Sequence, residues 1–217
     1  MLVNGKRSVG LALMIAVAAA GCGGADGAGT GYAGRMLAAP LPKPDFTFTD
    51  VHGRPFGFRA ETDGKVTLLF FGYTHCPDIC PVQLANIAAV LRDLPAETQE
   101  QIRVVFVTTD PARDTPERLR EWLASHHPAF VGLRGPLHEV NAVERSLLLP
   151  PSVVAPGAGA GHGGTPSDYF VGHASAVVAF GADDTARVVY PWGTRQQDWR
   201  RDLPRLVAET GGPGAGG

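Results

Sequence analysis

The fold is decided by residues 65–94, KVTLLFFGYTHCPDICPVQLANIAAVLRDL, in which an apolar run passes into a pair of cysteines and then into a helical pattern. The run 65–71 has the uninterrupted apolar character of a strand that is buried on both faces. After Pro81, apolar residues recur every three or four positions, which is typical of one face of a helix. The sequence therefore predicts a strand, a turn that carries Cys76 and Cys80, and a helix.

The two cysteines lie where the predicted strand passes into the predicted helix. A thiol at a helix N-terminus faces free backbone N–H groups and the positive end of the helix dipole, which stabilise a thiolate. Two neighbouring thiolates can form a disulfide, exchange electrons through one, or bind a thiophilic metal, and the spacing alone does not choose among these. Two buried structural cysteines are a further alternative, but Pro77 and Pro81 favour an exposed turn.

The N-terminus indicates where the protein works. Lys6 and Arg7 precede an apolar stretch, 11–20, that is short for a membrane span, and the stretch ends in Ala-Ala-Gly-Cys22. This ending resembles the lipobox of bacterial lipoproteins, so residues 1–21 are predicted to be a lipoprotein-type signal peptide and Cys22 the lipidated N-terminus. Ordinary cleavage after the alanines and an uncleaved anchor are the alternatives. Lipidation places the protein at the bacterial cell membrane, on the extracytoplasmic face.

Composition divides the rest of the chain into three parts. Residues 22–40 begin with a Gly- and Ala-rich stretch and are predicted to be a flexible tether, 41–210 are long enough for one domain with a full core, and the Gly-rich tail 211–217 is predicted to be disordered. Without residues 1–21 the chain has 17 basic and 21 acidic residues, which gives no indication of nucleic-acid binding.

Strands and helices alternate within this domain. Strands are predicted at 46–49, 57–58, 65–71, 102–109, 130–133, 169–180 and 186–190, and helices at 81–94, 114–126, 137–147 and 196–209, the last with a kink at Pro204. The second helix has two candidate caps, Asp114 in a capping box with Glu117, and Thr115 before Pro116. This order of elements predicts a thioredoxin-like α/β fold, with a central mixed β-sheet flanked by helices.

Three motifs in this order resemble the SCO/SenC family. They are CPDICP at 76–81, TDPARDTP at 109–116 and YFVGHAS at 169–175, and the likeness extends over about 44–207. The resemblance implies a thioredoxin-like copper chaperone that helps to assemble the binuclear copper centre of cytochrome c oxidase. It also implies that the partner is the copper-bearing subunit of the oxidase, with other copper chaperones or thiol reductants as further partners.

The resemblance further implies that Cys76, Cys80 and His173 are the copper ligands. Two thiolates and one imidazole suit Cu(I) and can also bind Cu(II), whereas zinc accepts the same donors with a water molecule. All three methionines precede the predicted domain, so a thioether ligand within it is not expected. One departure from the family is Gly172, where the family usually has an Asp before the histidine; this concerns the electrostatics around His173 rather than the ligand itself.

The other six histidines are expected to lie outside the metal site. His75 is adjacent to Cys76 but points away from it if the strand continues. His126 and His127 end a helix, where a cation is favoured, and are expected to be structural. The remaining three are assigned to the surface, although one of them lies in the loop 151–166 and could reach a bound metal: His52, His138 and His162.

Several polar residues near the cysteines have subsidiary expected roles. Arg113 is expected to pair with a carboxylate at the rim of the site, and Asp78 either tunes the acidity of the thiols or is a solvated turn residue. Phe71, Tyr73 and Phe130 are expected to pack in the core or at the rim, and the arginines of the last helix are expected to form a solvated face, unless that face meets a partner or an acidic lipid.

Two function classes follow. One is a membrane-anchored metallochaperone that binds copper through Cys76, Cys80 and His173. The other is an enzyme, a thiol–disulfide oxidoreductase that cycles Cys76 and Cys80 and does not need His173. Peroxidase activity is a more distant possibility, because the pattern of a peroxidatic cysteine is not evident.

Overall fold

The structure, a computed structural model, describes residues 1–2, 31–155 and 169–211. All elements given below belong to the unit Gly31–Gly217. The strands are β1 (Arg35–Pro42), β2 (Thr47–Asp50), β3 (Pro55–Gly57), β4 (Val66–Gly72), β5 (Ile102–Thr108), β6 (Val131–Arg134), β7 (Val153–Ala155), β8 (Phe170–Gly172), β9 (Val177–Phe180) and β10 (Thr185–Tyr190). The helices are α1 (Phe58–Glu61), α2 (Ile79–Asp93), α3 (Ala96–Glu100), α4 (Pro116–His126), α5 (Leu137–Ser146) and α6 (Gln196–Thr210).

Eight strands form one mixed sheet, in the order β1-β10-β9-β4-β5-β6-β2-β3. β4, β5 and β6 run parallel, and helices α2 to α4 connect them. β9 pairs antiparallel with the other edge of β4, so β4 is a central strand. β7 and β8 form a separate two-stranded antiparallel sheet. The predicted mixed sheet with flanking helices is confirmed.

The central strand β4 is buried on both faces, as its apolar run predicts. Leu68 and Phe70 belong to one core cluster with residues of α2 and α6, whereas Leu69 and Phe71 belong to a second cluster with residues of α5. All four side chains are fully buried. Burial of each such side chain contributes about 1.5–3 kcal/mol to the stability of the fold. The end of β4, from which the cysteine turn starts, is therefore firmly fixed in the core.

The folded domain begins earlier in the chain than the sequence predicted. Residues 35–40, predicted as the end of the tether, belong to β1, which pairs antiparallel with β10 from Arg35↔Val189 to Pro42↔Thr185. The folded domain therefore begins before the predicted boundary at residue 41. Backbone pairing with a strand about 150 residues later in the chain is a non-local effect that local composition does not indicate.

The predicted strand 169–180 is two strands in different sheets. β8 pairs with β7, a strand that the sequence did not predict, and β9 pairs with β4 and β10. The backbone of residues 173–176 therefore leaves one ladder before it enters the other. The apolar pattern continues across this break because both strands pack on the core, which hides the change of sheet from the sequence.

The remaining predicted elements are in place, with small shifts of their ends. The hairpin around His52 is formed by β2 and β3, and Phe58 begins α1 instead of ending a strand. α2 begins at Ile79, two residues before the predicted start, so Cys80 lies in its first turn. Pro204 lies inside α6. Four predictions concern residues outside the described part of the chain. They are the signal peptide 1–21, of which only residues 1–2 are described, the lipidated Cys22, His162 and the tail from residue 212 onwards.

The arginines of α6 and its N-cap are paired with acidic residues. The pairs are Arg195–Asp198, Arg200–Asp93, Arg201–Asp202 and Arg205–Glu209. This face is therefore largely neutralised and is not a free basic patch. In the part of the chain that the structure describes, no helix is both long and apolar enough to cross a bilayer.

Candidate metal centre

The cysteines lie on the turn that joins β4 to α2. Cys76 belongs to the turn, where its backbone N–H donates to the carbonyl oxygen of Tyr73 at 3.2 Å, and Cys80 lies in the first turn of α2. The backbone N–H of Cys80 donates to Cys76 Sγ at 3.5 Å. Cys76 is 9% exposed and Cys80 is fully buried, and both are free thiols. Of the two thiols, Cys76 alone retains a little exposure, and Cys80 lies fully in the core.

His173 reaches the cysteines from the link between β8 and β9. Its Nε2 atom lies 3.5 Å from Cys80 Sγ, and its Nδ1 atom lies 3.1 Å from the carbonyl oxygen of Ala174. With the proton on Nδ1, that nitrogen donates to the carbonyl and Nε2 presents its lone pair to Cys80. The prediction of a histidine inside a strand is wrong: the change of sheet between β8 and β9 leaves His173 in a link, from which its ring turns towards the cysteines.

The structure brings the three sequence-predicted ligands together. One ligand atom from each of Cys76, Cys80 and His173 lies within 4.8 Å of the others. Among the described residues this is the one group of three or more Cys, His, Asp or Glu side chains with such a geometry. Two sulfur donors and one imidazole nitrogen form a soft set that suits Cu(I), and an arrangement with three protein ligands keeps one position open.

The two thiols have very different acidities. The pKa of Cys76 is lowered to about 3, first by its hydrogen bond with the Cys80 side chain and then by His173 and by the backbone N–H groups of Cys80 and Asp78, against the effect of burial. Burial first, and then the hydrogen bond and charge of Cys76, raise the pKa of Cys80. The pair therefore carries one negative charge at neutral pH, on Cys76. The Asp78 side chain itself is exposed.

Aromatic rings hold the imidazole of His173. Tyr73 packs edge-on against it at 5.6 Å between ring centroids, and Phe70 does so at 6.3 Å. Tyr73 is 2% exposed, and burial raises the pKa of its hydroxyl. Phe71 and Phe130 are buried in the core away from the ring. Tyr73 thus packs beside the metal centre, whereas Phe71 and Phe130 serve the core.

A rim of three side chains joins the second motif to the histidine segment. Arg113 pairs with Asp110, as the sequence predicted. The guanidinium of Arg113 also stacks on the ring of Tyr169 at 3.6 Å, and the Tyr169 hydroxyl donates to Asp110 Oδ1 at 2.7 Å. Tyr169, which precedes β8, was not among the predicted rim residues. The available signal was that the third motif, which contains Tyr169, and Arg113 were both expected at the metal site.

Asp114 has a different role from the predicted helix cap. Thr115 caps α4, with its hydroxyl oxygen accepting from the Arg118 backbone N–H at 3.2 Å. Asp114 is fully buried and accepts three hydrogen bonds, from the Thr74 backbone N–H at 3.0 Å, the Thr74 hydroxyl at 2.6 Å and the Thr108 hydroxyl at 2.6 Å. The capping-box prediction is wrong because this carboxylate holds the cysteine turn instead.

The other described histidines lie outside the centre. His75 contacts Thr74 and Asp114 on the opposite side of the turn, in agreement with the predicted direction of its side chain. His126 packs on Trp122 and His127 on Phe130, which supports the structural role. Burial lowers the pKa of both imidazoles and so favours their neutral form. The predicted cationic stabilisation of the helix end is therefore not supported. His52 and His138 are exposed, as predicted.

The centre opens into a surface cleft of about 470 Å³. Its walls come from both sides of the site, with Pro77 and Ile79 on the cysteine side and Phe170 and Gly172 on the histidine side. Phe170 is 51% exposed. Gly172 leaves room for a side chain, because an added Cβ would meet only the Val153 carbonyl oxygen at 3.8 Å. Cys76 and His173 line this cleft, so a metal held there would be reachable from solvent.

Several known proteins are similar to this chain. A protein of Stutzerimonas stutzeri, named as a proposed copper-binding protein, is 37% identical over 167 residues, which cover 76% of each chain. The apo Sco1 structure from Thermus thermophilus superposes with a TM-score of 0.68 at 29% identity, over 84% of this chain and 99% of that one. Bradyrhizobium japonicum ScoI with copper bound superposes with a TM-score of 0.64 at 29% identity, over 76% and 99%.

These similarities confirm the predicted thioredoxin-like fold with its central mixed sheet. Mitochondrial relatives are longer, and the matched region spans 52% of the bovine SCO2 homologue and 45% of yeast SCO1. The profile of the SCO1/SenC family matches residues 35–208, which include β1, all three motifs and the Cys76, Cys80 and His173 cluster. The chain therefore belongs to the SCO1/SenC family.

Proposed function

We propose that the protein is a copper chaperone, held at the extracytoplasmic face of the bacterial membrane by lipid on Cys22. It binds copper through Cys76, Cys80 and His173 and delivers it to the copper-bearing subunit of cytochrome c oxidase, during assembly of the binuclear copper centre. The observation that carries this proposal is the approach of the three ligand atoms to within 4.8 Å, beside an open cleft.

The unequal acidities of the two thiols suit reversible uptake of the ion. The lowered pKa of Cys76 favours its thiolate, His173 brings Nε2 to 3.5 Å from Cys80 Sγ, and Cys80 gives up its proton when the metal binds. The raised pKa of Cys80 makes this last step costly and so lowers the affinity at neutral pH. An ion held this way is easier to pass on than one bound by two thiolates that are already ionised.

The cargo is copper rather than a structural metal. Structural zinc sites usually take four protein ligands, whereas three protein ligands and an accessible cleft allow a partner's ligand to enter. The copper-bound relative from B. japonicum supports this choice. The oxidase subunit as recipient follows from the SCO/SenC resemblance, and other copper chaperones or thiol reductants are the proposed sources of copper and electrons.

A second candidate function, thiol–disulfide exchange, is favoured by the unequal thiols. The Cys76 thiolate would attack a disulfide of the partner and form a mixed disulfide, and one partner sulfur would leave as a thiolate. Cys80 would then attack Cys76 Sγ, releasing the second partner sulfur, and its proton would go to a released thiolate. Two electrons pass from the cysteine pair to the partner, and the pair ends as a disulfide.

Anaerobic titration with Cu(I) tests the site, with the full chain carrying Cys22→Ala so that Cys76 and Cys80 are its only thiols. We expect one equivalent to bind tightly, and Cys76→Ser or Cys80→Ser to abolish tight binding, because one thiolate and one imidazole leave the ion undercoordinated. Stoichiometric tight binding in either serine variant contradicts the site.

His173→Ala separates the two functions. We expect it to weaken copper binding by about tenfold or more, while Cys76 and Cys80 still oxidise and reduce, because a disulfide needs no imidazole. Cells that carry this variant should assemble less active oxidase when copper is limiting. Normal assembly under that condition overturns the chaperone proposal and favours the oxidoreductase.

A further inference from the structure

A buried carboxylate, Glu144, lies in the last turn of α5 and outside the metal cluster. Glu144 is fully buried, and among the ion pairs of the described residues none involves it. Burial raises its pKa. A carboxyl group that is costly to bury and that is not paired with a cation needs a reason for its position.

Both oxygens of this carboxylate bind one residue. Glu144 Oε2 accepts from the Ser152 backbone N–H at 2.8 Å, and Glu144 Oε1 accepts from the Ser152 hydroxyl at 2.7 Å. Ser152 is 2% exposed and directly precedes β7. The connection between them contains Pro150 and Pro151, whose rings restrict the backbone. Glu144 therefore fixes the point at which the chain enters β7.

The position of β7 determines the position of the histidine segment. β7 and β8 pair with the register Val153↔Gly172, so the residue after Ser152 pairs with the residue before His173. The contacts thus run from Glu144 through Ser152 and the short ladder to the residue before the proposed ligand.

We propose that Glu144 is a positioning residue for His173: its two hydrogen bonds to Ser152 fix the two-stranded sheet that aims the imidazole at Cys76 and Cys80. This inference rests on the proposed copper function. It gives the carboxylate a role in the metal centre, although Glu144 touches no ligand in the structure. Because Cys76 lies on the turn before α2 and Cys80 lies in the first turn of that helix, Glu144 acts on the histidine side of the centre alone.

Four substitutions separate positioning from charge. Glu144→Met removes both acceptors at nearly constant length, whereas Glu144→Gln keeps an oxygen for the Ser152 N–H and offers an amide N–H to the hydroxyl oxygen. Ser152→Ala removes one of the two hydrogen bonds, and Ser152→Thr keeps both. Glu139→Met, at an exposed position on the same helix, is the matched control.

We expect Glu144→Met to weaken Cu(I) binding about tenfold, measured by competition with a chromophoric chelator, and to alter the thiolate-to-copper absorption of the Cu(II) form. Glu144→Gln, Ser152→Thr and Glu139→Met should bind as the parent does, and Ser152→Ala should be intermediate. The midpoint potential of the Cys76–Cys80 pair should not change in any of them. Should Glu144→Met fail to fold, the comparison of Ser152→Ala with Ser152→Thr gives the same test.

The double variant Glu144→Met/His173→Ala provides the decisive test. If Glu144 acts only through the imidazole, Glu144→Met adds no further loss of affinity in the His173→Ala background, although it costs about tenfold in the parent. An equal loss in both backgrounds, or unchanged affinity and spectrum in the single variant, overturns the positioning role. Failure of the parent to bind copper, or retention of tight binding without Cys76, overturns the proposed function instead.

Discussion

Cys76 and Cys80 differ in reactivity although only four residues separate them. Cys76 receives hydrogen bonds from the turn and from the start of α2, and its thiolate is favoured. Cys80 is fully buried beside that thiolate, so both its surroundings and the neighbouring charge favour its protonated form. The strand-to-helix turn thus creates one nucleophile and one proton-bearing thiol. In either proposed function Cys76 makes the first contact with a metal or a partner.

This inequality predicts pH-selective alkylation. A thiolate exists above its pKa, so the lowered pKa of Cys76, about 3, keeps this residue reactive in mildly acidic solution, whereas the raised pKa of Cys80 disfavours its thiolate even in alkaline solution. In the reduced, metal-free full chain with Cys22→Ala, mass spectrometry after iodoacetamide treatment should find Cys76 modified at pH 5 and Cys80 unmodified at pH 9. In denaturant both should react with an ordinary thiol pKa of about 8.5. Modification of Cys80 before Cys76 contradicts the assignment.

Gly72 provides the space for the buried thiol. A Cβ at this position would lie 2.6 Å from Cys80 Sγ and 2.9 Å from Phe106 Cε2, both closer than real contacts allow. Gly72→Ala should therefore displace Cys80, destabilise the fold by about 1–3 kcal/mol and weaken copper binding. Chemical denaturation and Cu(I) competition measure the two effects. Gly57→Ala is the control, since its Cβ would meet Thr47 Oγ1 at an ordinary 3.8 Å; equal effects at both positions would show that this close approach is unimportant.

At the scale of elements, the second motif fixes the cysteine turn through Asp114. Asp114 connects Thr74 of the turn to Thr108 at the end of β5, and Arg113 stacks on Tyr169 before β8. The motif TDPARDTP thus contacts both the cysteine turn and the histidine segment. Three stretches that are distant in sequence form one centre because the parallel strands β4 and β5 end at the same edge of the sheet.

Asp114→Asn tests this connection. The amide keeps one acceptor oxygen, so at least one of the three donors from Thr74 and Thr108 loses its partner in a fully buried position. We expect a loss of about 1–3 kcal/mol in the free energy of unfolding, measured with urea. Asp93→Asn, which breaks the exposed pair with Arg200, should cost less than about 1 kcal/mol. A similar small cost for Asp114→Asn would show that the turn does not depend on this carboxylate.

The sequence predicted elements where a local pattern was sufficient. The apolar run of β4 and the helical spacing of α2 have one interpretation each, and the cysteine turn between them followed. Pairing between distant strands was not predictable in this way: β1 belongs to the sheet because it pairs with β10, and the stretch that contains His173 is divided because β8 pairs with β7. The Glu144–Ser152 contact was missed for a related reason, since an acidic residue on an amphipathic helix gives no local sign of burial.

At the scale of the whole molecule, the N-terminal segment is fixed to α6 where it enters the domain. The Ala33 backbone N–H donates to the buried carboxylate of Asp202 at 2.7 Å, and the Tyr32 hydroxyl donates to Glu209. Arg205 lies over the ring of Tyr32 at 4.4 Å. The ten residues from Cys22 to Tyr32 can span at most about 35 Å. A lipid on Cys22 would therefore keep the domain close to the membrane while leaving it room to reorient.

Cys22→Ala tests this arrangement. Wild-type protein should partition into the detergent phase and carry lipid by mass spectrometry, whereas the variant should lack the lipid and move to the aqueous phase if its signal peptide is removed. Copper affinity of the purified variant should not change, because Cys22 is not among the proposed ligands, but oxidase assembly under limiting copper should fall as the local concentration at the membrane falls. Thr30→Ala, which keeps Cys22, is the matched control. Wild-type protein in the aqueous phase contradicts the lipid anchor, and a variant that stays in the membrane with residues 1–21 attached shows that the apolar stretch 11–20, not lipid, is sufficient for anchoring.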